Sequence, residues 1–159
     1  MTRKEQYNQL ILQIARLIKD ETNLVGILAN VSAALHDTFP ERFFWVGFYL
    51  QENGNMLRLG PFQGSVACYV IPFGKGVCGK AWEEGRTLIV PDVEKFPGHI
   101  ACSSLSRSEI VVPMYDDAHT FRGVLDIDST RLNDFNEDDK EGLERIIELL
   151  MAETQDLFQ

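Results

Sequence analysis

Apolar positions recur at helical spacing near both ends of the chain and at strand spacing between them. Leu10, Ile11, Ile14, Leu17 and Ile18 form one stripe that predicts a helix over 4–19. Leu24, Ile27, Leu28, Val31 and Leu35 predict a second over 22–38, which ends before Pro40. Leu143, Ile146, Ile147, Leu150 and Met151 predict a last helix that begins near Asn136. Residues 43–50 are aromatic and β-branched, and read as a strand buried on both faces. Asn53-Gly54-Asn55 marks a hairpin turn, with a return strand from Met56 to Leu59. A third strand is expected over 65–72, a short helix over 78–84 and a short strand over 88–90. Residues 91–108 read as a long loop, and 110–115 with 121–128 as a final hairpin. Long ordered loops in compact domains are usually functional.

The order α-α-β-β-β-(α)-β-loop-β-β-α predicts an α+β fold with a mostly antiparallel sheet, since hairpins dominate its connections. Three amphipathic helices cover one sheet face. The other face is left to the segments 73–84 and 91–108. A sheet roofed by loops is a natural place for a small-molecule pocket. A chain of 159 residues with no repeat or linker is read as a single domain spanning 1–159.

Charge narrows the function classes. The net charge is -9, with 24 acidic and 15 basic side chains, and the bases are scattered. A nucleic-acid binder needs a basic face, so neither nucleic acid nor an anionic membrane is expected as a partner. No apolar run is long enough for a signal peptide or a membrane span, so a cytoplasmic location is expected. In that compartment three cysteines point to reactive thiols, not to a structural disulfide framework.

Those cysteines are Cys68, Cys78 and Cys102, and each falls in or beside the expected roof. A free cysteine is often only a small buried hydrophobe. Zinc is a weak alternative: His99 and Cys102 are spaced as a ligand pair, but no Cys-x-x-Cys accompanies them, and neither metal nor cofactor is expected. Asp126 and Asp128 are two apart on a strand, so they share a face, while Leu125 and Ile127 turn toward the helices. Glu109 opens the neighbouring strand. Three acids in one partly closed pocket repel one another, so at least one is expected to keep its proton near neutral pH. A neutral carboxyl can donate a hydrogen bond to a polar oxygen such as that of S=O. Trp45 and Tyr49 also share a face. They are either core or an apolar wall suited to a methyl-thioether group.

The strings Trp45-Val46-Gly47-Phe48-Tyr49-Leu50, Gly60-Pro61-Phe62-Gln63-Gly64, Gly76-Val77-Cys78-Gly79, Gly98-His99-Ile100-Ala101-Cys102, Ser108-Glu109-Ile110-Val111-Val112-Pro113 and Gly123-Val124-Leu125-Asp126-Ile127-Asp128-Ser129, together with Cys68, resemble those of free methionine-(R)-sulfoxide reductases. These are stand-alone GAF-domain enzymes, and the resemblance runs from the first helix to the last. It implies that Cys102 is the nucleophile and Cys68 the main resolving thiol, with Cys78 an additional or alternative one. It implies Glu109, Asp126 and Asp128 as the acids of the substrate pocket, and Trp45 and Tyr49 as its aromatic wall. It further implies free methionine-(R)-sulfoxide as substrate and thioredoxin as electron donor. A homodimer is left open.

The implied chemistry runs from the Cys102 thiolate to a sulfenic acid, then to a Cys68–Cys102 disulfide that an external dithiol reduces. Carboxylates near Cys102 oppose thiolate formation. A helical turn beginning at Ser103-Ser104, with its amides aimed at Cys102, would offset that. Three other readings compete: a GAF sensor that binds a small molecule without turnover, a thiol peroxidase or redox switch, and cysteines with a purely structural role.

Overall fold

The structure is a computed structural model and describes residues 1–158. Helix α1 (Arg3–Ile18) starts at a capping box: Thr2 Oγ1 accepts from the Glu5 amide while the Glu5 carboxylate accepts from the Thr2 amide. Helix α2 (Leu24–Thr38) stops ahead of Pro40, as its sequence predicts. Helix α4 (Glu137–Thr154) is capped by Asn136, whose Oδ1 accepts from the Asp138 and Asp139 amides.

Between them lie β1 (Trp45–Glu52), β2 (Met56–Gln63), β3 (Val70–Pro72), α3 (Gly76–Glu84), β4 (Leu88–Val90), β5 (Ser108–Tyr115) and β6 (Phe121–Ser129). The six strands form one sheet in the order β3-β2-β1-β6-β5-β4, and every neighbouring pair is antiparallel. The central pair β1 and β6 are far apart in sequence, so the sheet is closed by a long-range contact instead of a hairpin. The α+β architecture with an antiparallel sheet, expected from the pattern, is the one observed.

Side-chain alternation divides the interior in two. Val46, Phe48, Ile110, Val112, Leu125 and Ile127 point to the face covered by α1, α2 and α4, and join the core with Leu10, Ile14, Leu28, Val31, Leu143 and Ile146. Trp45, Tyr49, Val111 and Val124 point the other way and pack with Leu57, Ile71, Val77, Cys78 and Ala81. That second layer lies beneath α3 and the 91–107 segment. No helix among the described residues is long and apolar enough to cross a membrane.

Two expectations need correction. The third strand is not 65–72 but Val70–Pro72, so Cys68 stands in an irregular segment and not on a strand. The chain turns out of the sheet at Gly64, which has φ of 140°. Beyond it the carbonyls of Ser65 and Cys68 accept from Trp45 Nε1 and the Tyr49 hydroxyl, each at 3.0 Å. Side chains thus occupy carbonyls that a longer strand would offer to a neighbour. The short helix expected over 78–84 begins earlier, as α3 from Gly76, so Cys78 lies in its first turn and not in a glycine-rich loop. The helix can approach the end of β3 only because residue 79 is glycine: a Cβ there would sit 2.5 Å from the Pro72 carbonyl.

Candidate active site

Strand register builds the floor of the site. Trp45 pairs with Asp128 across β1 and β6, and Asp128 pairs with Glu109 across β6 and β5, so the three lie in one row. The next row on the same face is Gly47, Asp126 and Val111. Three side chains far apart in sequence become neighbours through backbone pairing alone. Gly47 leaves room in that row, since a Cβ there would lie 2.2 Å from the Cβ of Phe62.

Above this floor is a cavity lined by Trp45, Tyr49, Cys78, His99, Cys102, Glu109, Asp126 and Asp128. Its free volume is about 40 Å³, enough for only a few water molecules. Trp45 and Tyr49 stack with ring centroids 5.8 Å apart, and Phe62 stacks on Trp45 at 5.0 Å. The aromatic pair therefore does two things: it walls the cavity and, through the bonds to Ser65 and Cys68, braces the segment that carries Cys68. The second task left no mark in the sequence. Ile71, Val77 and Ile100 complete the apolar wall and were not singled out from the sequence either.

Cys102 is joined to Cys68 in a disulfide, with Cα atoms 5.4 Å apart. Both half-cystines are partly exposed, whereas Cys78 is free and buried. Residues 103–105 do not form the helical turn considered from sequence. The Leu105 amide donates to Ser103 Oγ at 3.2 Å in a local turn, so no helix amides are aimed at Cys102.

The acids perturb one another. Burial pushes the Glu109 carboxyl well above the ordinary carboxylate range, and the charges of Asp126 and Asp128 push it further. Burial also raises Asp128 strongly, with Asp126 adding to it. Asp126 is raised too by burial, but hydrogen bonds from Glu109 and Cys78 and the nearby His99 pull it back. The group therefore shares protons unequally: Glu109 holds one between two neighbours, and Asp126 is the first to ionise. Cys78 is driven up by burial and by Asp126 and Glu109, and the Tyr49 hydroxyl by burial and Asp126. His99 Nε2 is 3.8 Å from Glu109 Oε1, and burial lowers its pKa. His99 is thus a pocket residue. The only three-ligand cluster among the described residues is Cys78, Glu109 and Asp126, whose ligand atoms lie within 4.8 Å of one another; it does not include the His99 and Cys102 pair.

An acid whose pKa is raised well above the carboxylate range, lining one cavity with a disulfide-bonded cysteine, suits proton-assisted sulfur chemistry. Comparison with known proteins agrees. A GAF domain model matches residues 21–152. The free methionine-R-sulfoxide reductase of Saccharomyces cerevisiae is 42% identical over 155 residues, covering 94% of this chain and 86% of that protein. The chain belongs to the free methionine-R-sulfoxide reductase family. GAF domain-containing protein A of Dictyostelium discoideum is 56% identical over 149 residues, covering 94% of this chain and 92% of that one. The structure of the Neisseria meningitidis free methionine-R-sulfoxide reductase in complex with its substrate superposes with a TM-score of 0.93 at 46% identity, over 98% of this chain and 92% of that chain. The fold and the family read from the sequence motifs are both borne out.

Proposed function

We propose that this protein reduces free methionine-(R)-sulfoxide to methionine, acting as a single catalytic domain over 1–159, and that thioredoxin restores it. The carrying observation is that Cys102, bridged to Cys68, lines the same cavity as Glu109, Asp126 and Asp128. The Cys102 thiolate attacks the sulfoxide sulfur while Glu109 hydrogen-bonds the oxygen and gives it a proton. The S–O oxygen ends on Cys102 as a sulfenic acid, and methionine leaves with its sulfur reduced. The Cys68 thiol then attacks the Cys102 sulfur, releases the oxygen as water and leaves the disulfide. Two electrons and two protons from an external dithiol return both thiols.

In this reading the remaining acids serve the substrate's ammonium group, with Asp126 as the ionised member. Trp45 and Tyr49 hold the methyl-thioether end. Cys78 is buried, carries a raised pKa and stands outside the disulfide, which supports a reserve role for it and not the main resolving one. A reducing compartment such as the cytoplasm would supply the dithiol that this cycle consumes. A homodimer is compatible with the reading and adds no residue to it.

The test is NADPH oxidation coupled through thioredoxin reductase and thioredoxin. Turnover is expected with the free R epimer and little with the S epimer. Binding of either epimer without consumption of reductant would make the protein a GAF sensor. Faster reduction of peroxide than of the sulfoxide would make it a thiol peroxidase.

A further inference from the structure

Three large apolar side chains are held in solvent beside the disulfide. Val66 is 87% exposed, Tyr69 78% and Leu105 59%. Tyr69 directly follows Cys68, Val66 stands two residues before it, and Leu105 lies three residues beyond Cys102. Charge is missing from the same place. A quarter of the chain is charged, yet segments 59–74 and 96–106 contain no Asp, Glu, Lys or Arg. A solvent-facing surface of this kind is normally where charged residues collect. Backbone groups are also spare: among the described residues the amides of Val66, Ala67 and Cys68 have no hydrogen-bond partner. The bridge joins the two segments that carry these exposed side chains, and exposed apolar residues with unpaired backbone beside them suit a place where another protein binds.

The occupant follows from the chemistry. With Cys68 and Cys102 joined, this is the oxidised form, and it is the form that the reductant must recognise. We propose that Val66, Tyr69 and Leu105 form the docking surface for a dithiol reductant protein, which binds by apolar contact and backbone pairing and not through charge. This rests on the reductase reading above. Docking brings a thiolate of the partner against one sulfur of the Cys68–Cys102 bond. A mixed disulfide forms and the other cysteine leaves as a thiolate. The partner's second thiol then attacks the mixed disulfide, so the partner leaves oxidised and both cysteines are reduced. A small dithiol such as dithiothreitol performs the same exchange without needing the surface.

The experiment compares the wild type with a Tyr69→Ser/Leu105→Ser variant; Val66 is left intact because it also stands at the cavity mouth. Initial rates on free methionine-(R)-sulfoxide are measured with thioredoxin, thioredoxin reductase and NADPH, and separately with dithiothreitol. The expected result is a KM for thioredoxin raised by about tenfold or more, as for loss of interface anchors, with dithiothreitol-driven turnover unchanged. The wild-type KM for thioredoxin should also vary little as salt rises, because no charge pair is being screened. An unchanged thioredoxin KM overturns the proposal. So does an equal loss with dithiothreitol, which means damage to the site, or a steep salt dependence. If the variant alters only oligomeric state on gel filtration, the surface belongs to a second copy and the proposal also fails. If the wild type does not consume the sulfoxide even with dithiothreitol, the reductase reading has failed and not the docking surface.

Discussion

Glu109 sits close to two other carboxyls with little contact to water, and that placement shifts its protonation. Burial and the charges of Asp126 and Asp128 raise its pKa from 4.5. The shift favours its protonated form, the one able to donate to a sulfoxide oxygen, so turnover should fall as pH rises through the raised value. Glu109→Gln keeps the shape and removes the acid. We expect turnover at neutral pH lower by about tenfold or more, the usual weight of general acid assistance, and loss of the alkaline fall attributable to Glu109. Initial-rate pH profiles check this. The same group also acts on stability, in the same pH direction. Between the unfolded value and the raised folded value, the native state binds more protons than the unfolded one, so native stability declines as pH rises across that window. Glu109→Gln should therefore gain thermal stability relative to the wild type as pH increases above 4.5. A constant difference in Tm from acid to alkaline pH would show that Glu109 is not held neutral.

The elements that carry the acids are tied down behind the sheet. Ser108 and Ser129 face each other on β5 and β6, next to Glu109 and Asp128 in sequence. The Ser108 hydroxyl donates to the Arg131 carbonyl at 2.5 Å, and the Ser129 hydroxyl donates to Asp134 at 2.5 Å. Asp134 in turn accepts from Arg42, whose guanidinium also reaches Asp139 at 3.0 Å and lies over the rings of Phe39, Phe43 and Phe135. Asp139 is fully buried and additionally accepts from Tyr7 at 2.6 Å, from Arg3 at 2.8 Å and from the Asn136 amide at 3.0 Å. One carboxylate thus joins α1, the start of α4 and the segment before β1. Asp139→Ala leaves the largely buried Arg42 without that partner. Breaking a buried pair in this way costs about 3–5 kcal/mol, to be read from urea unfolding. Because the network lies behind the acid row and not in the cavity, the KM for substrate should change little where the variant is folded.

For the molecule as a whole, the disulfide and the cavity are two ends of one device. With Cys68 and Cys102 joined, the cavity has room for a few waters, far below the roughly 300 Å³ or more of a ligand pocket. Substrate entry then requires the segments 64–69 and 99–107 to separate, and reduction of the bond frees them to do so. We expect the oxidised protein to bind free methionine at least about tenfold more weakly than the reduced Cys102→Ser variant, a difference of about 1.4 kcal/mol, measurable by calorimetry. Equal affinities would mean that the bond does not govern access. Enclosure on this scale also argues that a sulfoxide within a peptide is consumed far more slowly than the free amino acid.

The helices, the order of the elements and the pairing of Asp126 with Asp128 on one face were legible in the chain because they follow from local periodicity. Stripes at 3.6 residues and alternation at 2 need no knowledge of distant residues. The motifs carrying the three cysteines and the acids were equally legible, and with them the family. The segment around Cys68 was not. Its apolar, β-branched run favours a strand, and only the donors of Trp45 and Tyr49, brought from another element, pull its carbonyls away. Likewise no local rule foretold that Trp45, Asp128 and Glu109 would form one row, since that depends on the register of three strands. Identity and chemical potential thus belong to the sequence. Proximity, burial and the raised pKa of Glu109 exist only once the sheet has closed, because each depends on charges and surfaces supplied by distant parts of the chain.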